Sequence, residues 1–488
     1  MRRAATDAPP SRTSAGRGTR GLLLVLSGTM LLDALEVSTT VVALPAAGAD
    51  LGSSPAAAQW LMSGFALGFG GLLPSGGRLV GLFGRRRVYL AALAGFAAAS
   101  LLCGLASHAG PLVAGRVVKG LCVALTAPTG LAVIGAEFPE GPARARALSL
   151  YSLAGAGGFC AGLPLSGLLT EASWRWTFLF PVPVAAALLA LGWFRVPSGP
   201  PGGPAAAGAR IRGVTGAVLF LTAAGLVLWG IQCAGRAAWP AAAGSLAGAA
   251  LLTAAAAALE RSVPRPLLRR RVLANASLVR SAVGAAALNG PYWGLLFLLT
   301  FQWQSRAGWS PLETALAFLP AALPLALAAP RSGRLVSRFG ARRLIVAGAL
   351  APPLGYALYL PHASDPSYAA HVLPTLLLVG AGFVLQFTAL HTQALAGVPD
   401  RDRPMTTAVY QAAVQLGGAL ALTLTVALLP AEPWPRAGAG DPGPAALFIT
   451  ALSAAGLAAA LAGHRRKERH GRRPGADPAR SDRGKRPA

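Results

Sequence analysis

Hydrophobic residues in this chain fall in repeated blocks of about 18 to 25, the length of α-helix needed to cross about 30 Å of hydrocarbon. Each block is bounded by Arg, Pro, Gly or Trp. Strands that cross a membrane are about half as long, so the pattern predicts helices and excludes a β-barrel. Fourteen blocks can be counted, the first from Gly21 to Pro45, the tenth from Leu312 to Pro330 and the last from Ala445 to Gly463. The expected fold is an all-α polytopic membrane protein.

The connections group these blocks. Pro197 to Ala209, dense in Pro and Gly, is not expected to hold a regular helix, and Glu260 to Ala276 is polar and basic. The expected order is therefore a cytoplasmic N-terminal stretch (1–20), six helices (21–195), a linker (196–213), two additional helices (214–259), a second linker (260–278), six more helices (279–463) and a disordered cytoplasmic end (464–488). Met1 to Arg20 is not read as a cleaved signal peptide, because the apolar block after it is too long and carries acids.

Composition sharpens this picture in two ways. With 54% hydrophobic and only 12% charged residues, the 488-residue chain is not a soluble globular protein. The net charge of +26 would suit nucleic acid, but the basic residues sit in short connections and at the ends rather than on a folded face, so no nucleic-acid partner is expected. If both termini are cytoplasmic, the inner connections hold Arg85 to Arg87, Arg144, Arg146, Arg342 and Arg343 among others, and the outer ones only Arg175, Arg236, Arg306 and Arg436. That asymmetry predicts a multi-pass protein of a bacterial cell membrane with both ends inside and lipid as its surroundings. The four cysteines lie inside apolar blocks without ligand-like spacing, so neither disulfides, metal nor cofactor is expected. No Walker-type loop or nucleophile triad appears, which speaks against an ATP-driven pump or an enzyme.

Candidate chemistry begins in the first block, where Asp33 and Glu36 stand one helical turn apart on one face. Acids inside a membrane are costly and face the protein interior or a wet cavity, which makes this pair a candidate proton site; the alternative is two structural acids held by hydrogen bonds. The fourth block carries Arg116 and Lys119. Counted inward from the outer face, Lys119 and Glu36 both lie at a depth of about 12 Å, within reach of each other. Such a pair either tunes a proton site or neutralises two buried charges as a static salt bridge. The second half offers amides and aromatics instead: Asn289, Tyr292 and Trp293, then Gln386, Gln411 and Gln415. These suit an apolar or cationic small molecule in a central cavity, and equally suit packing between helices.

Two stretches repeat. Gly77-Arg78-Leu79-Val80 leads to Phe83-Gly84 and Arg85-Arg86-Arg87; Gly333-Arg334-Leu335-Val336 leads to Phe339-Gly340 and, after Ala341, Arg342-Arg343. A shared G-R-L-V-x-x-F-G-x-R-R after the second block of each six is an internal repeat, and repeated halves with a site between them are a common transporter design. The fifth block has Gly158, Gly162, Pro164 and Gly167, small residues that let helices approach closely.

On these motifs the chain resembles the fourteen-helix drug:proton antiporter branch of the major facilitator superfamily. Glu36, nine residues before Pro45, stands where that family has its acid ahead of Ala-Leu-Pro, and Arg116 matches its arginine, whereas Lys119 replaces the usual glutamine. Gly81, Leu82 and Ser337 replace charged residues of the family's gating loop, and Pro164 comes one place late in its glycine-proline motif. The resemblance implies export of a drug-like or antibiotic small molecule in exchange for protons, by a monomer. An importer or facilitator of a small metabolite, or a non-transporting sensor on the same fold, would share most of these features.

Overall fold

A computed structural model describes residues 12–198, 207–261, 270–429 and 441–471. Helices account for all its regular structure, as lipid requires: without water to bond, a spanning backbone must satisfy its own N–H and C=O groups. Thirteen helices are long and apolar enough to cross a membrane, and a bent pair makes a fourteenth. They are α1 (Arg12–Asp50), α2 (Pro55–Phe83), α3 (Arg85–Gly104), α4 (Ala109–Glu137), α5 (Pro142–Ala172), α6 (Trp174–Arg195) and α7 (Ala207–Gly235). Then follow α8 (Trp239–Arg261), α9 (Ala276–Arg306), α10 (Pro311–Ala317 with Leu319–Ala328), α11 (Ala341–His362), α12 (Tyr368–Ala394), α13 (Asp400–Ala427) and α14 (Gly443–Gly471).

Several ends differ from the sequence expectation. Helix α1 begins at Arg12, inside the stretch expected to be a tail; α7 begins at Ala207, within the expected linker; and α14 continues past Gly463 to Gly471. Once an apolar helix is nucleated, adding residues to it costs little, so it overruns the membrane boundary that hydropathy marks. Of the expected tails and linkers, 1–11, 199–206, 262–269 (with Arg269) and 472–488 lie outside the described residues, as does 430–440 with Arg436, whereas Arg270–Leu273 is helical and α9 already starts at Ala276, inside the expected second linker. The tenth span is not one rod but bends by 48° after Ala317. Pro320 opens the second piece, where a proline lacks the N–H needed to continue the ladder and clashes with the preceding turn. By contrast α5 runs unbroken through Pro164.

Packing divides the helices. In the first six, α1 lies along α5, and α4 against α2 and α3; in the last six, α9 lies along α13 and α14, and α11 along α12. The two groups meet at two seams, α2 with α13 and α5 with α10, and α7 covers the first seam with α8 outside it. These seams are tight at the end of the bundle away from the start of α1. There the largest apolar cluster crosses from Val41, Leu44 and Leu163 to Leu295, Phe297 and Leu299. Gln304 donates to the Val42 carbonyl (3.0 Å), and Thr423 to Gln59 (3.3 Å). At the near end the first half keeps its own core of Leu22, Leu26, Tyr89, Ile134 and Tyr151, with no member from the second half. A cleft of about 450 Å³ opens there, lined by Arg146, Leu150 and Leu153 of α5 and by Ala329.

The repeated loops have a conformational reason for their second glycine. Gly84 (φ 90°, ψ 138°) and Gly340 (φ 79°, ψ 139°) each join two helices in nearly the same backbone shape, one that a Cβ disfavours. Gly77 and Gly333 meet nothing, so no close approach accounts for them. Ser337 bonds back to the Arg334 carbonyl of its own turn (3.0 Å), and Arg86 binds the Trp193 carbonyl and Ser198 (3.1 Å) of its own half. Arg85 is half-buried beside it.

Candidate functional site

The site is assembled by glycines. On α4, Gly115 and Gly120 flank Arg116 and Lys119, and a Cβ at Gly120 would stand 2.7 Å from the Phe69 backbone nitrogen of α2. On α5, a Cβ at Gly158 would stand 2.5 Å from the Leu31 carbonyl oxygen, and one at Gly162 would strike the Ser38 hydroxyl, so α1 packs backbone to backbone on α5. Packing this close leaves no room for lipid or bulk water between α4 and α2 or between α5 and α1, the helices that carry and flank the charged side chains.

On these faces Glu36 sits between two cations. One carboxylate oxygen takes Arg116 and the other lies 2.6 Å from the Lys119 ammonium. Arg116 and Lys119 are three residues apart, which puts both on one side of α4. The guanidinium also donates to the Leu61 carbonyl of α2 (2.6 Å) and lies over the Phe65 ring at 4.5 Å. Lys119 faces the rings of Phe96 (4.8 Å) and Phe178 (5.6 Å), and Glu36 is its one ionic partner among the described residues. None of the three is more than 2% exposed.

Asp33, one turn along α1, has a different environment. It is 5% exposed and makes no ion pair among the described residues; its carboxylate accepts a hydrogen bond from Thr126 of α4 (2.8 Å). The Thr126 hydroxyl also lies 3.2 Å from the Cys122 carbonyl and 3.3 Å from that of Val123. On the near side Tyr89 donates to Thr29 (2.8 Å), and Tyr151 to the Ala127 carbonyl (2.9 Å). Thr126 escaped the sequence reading although a signal existed: it lies two turns beyond Lys119 and so shares its face. Phe65, Phe96 and Phe178 gave no such signal, since an aromatic in an apolar block is indistinguishable from ordinary core.

The second-half residues form two groups rather than one. Tyr292 meets the edge of Phe383 (5.1 Å), one turn from Gln386, which packs on Gly348. Trp293 packs on Gly418, close to Gln415, which in turn packs on Gly70 of α2 and has a carbonyl oxygen without a hydrogen bond. Asn289 bonds to the Ala285 carbonyl of its own helix (3.0 Å), and Gln411 is half-buried. His391 stands edge-on to Tyr410 (5.3 Å). Of the glycines in α5, Gly167 meets α10: a Cβ there would lie 2.7 Å from the Leu312 Cα. Trp174 is buried against Phe178 (5.9 Å) and donates to Asp50 (3.1 Å), whereas Trp176, two residues on, is exposed.

Two helical groups, a cleft between them and buried charges inside one of them are the architecture of a membrane transporter of small molecules. The chain belongs to the Major Facilitator Superfamily, whose sequence profile matches residues 26–422. It is a transporter and not an enzyme. It is 34% identical to the puromycin resistance protein pur8 of Streptomyces alboniger, over 83% of this chain and 80% of that one. It is 33% identical to the cephamycin export protein CmcT of Amycolatopsis lactamdurans, over 87% and 88%. Among solved structures, the nucleoside transporter NupG superposes with a TM-score of 0.62 at 13% identity, covering 90% of this chain and 99% of its own, a likeness of fold alone.

Proposed function

We propose that this chain exports a drug-like or antibiotic small molecule across the cytoplasmic membrane in exchange for protons. Four ionisable side chains, Asp33, Glu36, Arg116 and Lys119, none more than 5% exposed within membrane-spanning helices, carry the reading. A membrane protein retains charges so costly where protonation or ion pairing does work. Relatives named for puromycin resistance and cephamycin export support a drug-like cargo. The arginine-rich connections support cytoplasmic termini, and the cleft beside Leu153 then faces the cytoplasm, from which an exporter loads. Cargo binds in the second half among Tyr292, Trp293, Asn289, Gln386, Gln411 and Gln415, whose rings and amides suit an apolar or cationic molecule. The first half carries the proton, and a single chain in lipid suffices for the cycle. Organised this way, coupling comes from proton and cargo favouring different access states.

The test uses everted vesicles from cells expressing the full chain, with radiolabelled puromycin and ethidium as probes. Respiration-driven accumulation that a protonophore abolishes is the expected result. Accumulation that persists after the gradient is collapsed, or transport only in the opposite direction, overturns the reading.

A further inference from the structure

The two acids of α1 are not equivalent, and their surroundings assign them different tasks. Both oxygens of Glu36 are committed to cations, so protonating it strands Arg116 and Lys119, two charges no more than 1% exposed, without their counter-ion. Removing one member of a buried ion pair is among the costliest single changes a protein interior can undergo. Asp33 carries no such commitment. Its partner is a hydroxyl, and a hydroxyl can serve either protonation state. With Asp33 ionised, Thr126 donates its proton to the carboxylate. With Asp33 protonated, Thr126 turns its proton to the Cys122 or Val123 carbonyl, both within 3.3 Å, and accepts from the acid.

We propose that Asp33, not Glu36, takes up and releases the transported proton, with Thr126 changing from donor to acceptor, while Glu36 stays ionised between Arg116 and Lys119. The assignment rests on the proton-coupled reading above and narrows it to one carboxyl group. The groups around Asp33 are consistent with it on every side. Its own helix contributes Glu36; α3 contributes Tyr89, α4 Cys122 and Thr126, and α5 Tyr151, none of them a basic residue. The charged groups of the other helices against α1 lie elsewhere. Arg195 of α6 packs beside Gly21, Glu313 of α10 caps its own helix, and Arg280 and Arg306 sit near the two ends of α9. Among the described residues no cation is paired with Asp33.

The assignment is testable by infrared difference spectroscopy of the full-length protein in liposomes, titrated with acid, following the carbonyl stretch of a buried carboxylic acid. Wild type is expected to show one such band that titrates, Asp33→Asn to lose it, and Thr126→Val to shift its frequency. Because Glu36→Gln alone leaves two unpaired cations, it is combined with Lys119→Met, which returns the cluster to the net charge it has in wild type, with Arg116 as its one cation; this double variant is expected to keep the band. Absence of a titrating band in wild type, its survival in Asp33→Asn, or its loss in the double variant overturns the assignment. Vesicle transport separates the two levels of the argument. Wild-type puromycin transport indifferent to a protonophore defeats proton coupling itself, whereas gradient-dependent transport retained by Asp33→Asn defeats only the choice of Asp33.

Discussion

Lys119 is the residue whose charge most changes the site. With Arg116 already on one oxygen of Glu36, it adds a second cation to one anion, and its ammonium is held otherwise by the rings of Phe96 and Phe178. Removing it should therefore be cheap in a way that removing its partner is not. Lys119→Met leaves a balanced Glu36–Arg116 pair and fills the aromatic pocket, so its melting temperature in detergent is expected to stay near wild type. Glu36→Gln leaves two buried cations and is expected to cost ~3–5 kcal/mol, read as a large drop in that temperature. Equal losses in both variants would mean that Lys119 supports the fold as much as Glu36 does. The meeting of these residues was legible beforehand, because depth along two helices is simple arithmetic. That Asp33 stands apart from the cations was not. Which rotamer a carboxylate takes, and which hydroxyl answers it, depends on how two helices are rotated about their axes, and hydropathy carries little information on rotation.

For the helices, the glycines decide how close the charged faces come. Gly68 of α2 and Gly120 of α4 each point at the other helix's backbone: a Cβ at Gly68 would stand 3.0 Å from the Leu121 nitrogen, and one at Gly120 2.7 Å from that of Phe69. Backbone cannot move aside as a side chain does. Gly120→Ala is expected to cost ~1–3 kcal/mol through overpacking and to lower the yield of folded protein on size-exclusion chromatography. Gly157→Ala, a change on α5 where a Cβ meets nothing within 4 Å, should leave that yield unchanged and serves as its control. The sequence pointed to the glycines of α5 through their density, and to the loop glycines through the repeat. It gave no reason to pair Gly68 with Gly120, since glycine is common in any membrane helix and only the contact tells a packing glycine from an idle one. The bend in α10 was missed for a related reason. Proline is tolerated in membrane helices when neighbours satisfy the freed groups, so Pro320 and Pro324 in an apolar block do not by themselves announce a break.

Across the whole molecule, the halves share an apolar core at the end away from the start of α1, whereas at the other end the first half keeps a core of its own and meets the second along α5 and Ala329–Arg331. The seam at the shared core includes the Gln304 bond to the Val42 carbonyl, the Thr423 bond to Gln59, and the contact of Gly167 with the first turn of α10, where a Cβ would lie 2.9 Å from that of Ala315. If the halves rock as rigid bodies about a central site, closing one end requires opening the other. A side chain at Gly167 wedges the far end apart, so Gly167→Leu is expected to shift the population toward a state closed at the near end. Leu153, 53% exposed on the wall of the near cleft, reports on that closure. In a background with Cys103, Cys122, Cys160 and Cys233 replaced, Leu153→Cys should react readily with a hydrophilic maleimide in everted vesicles. Adding Gly167→Leu should slow the reaction severalfold, whereas an unchanged rate would show that the two ends open independently. Protonation enters the same balance, because Glu36 and Ser38 lie on the segment of α1 between Asp33 and Val42. A change of charge at Asp33 thus acts on the helix whose far end is held by Gln304, and acidifying the vesicle lumen should alter the Leu153→Cys rate in protein carrying Asp33 but not in Asp33→Asn.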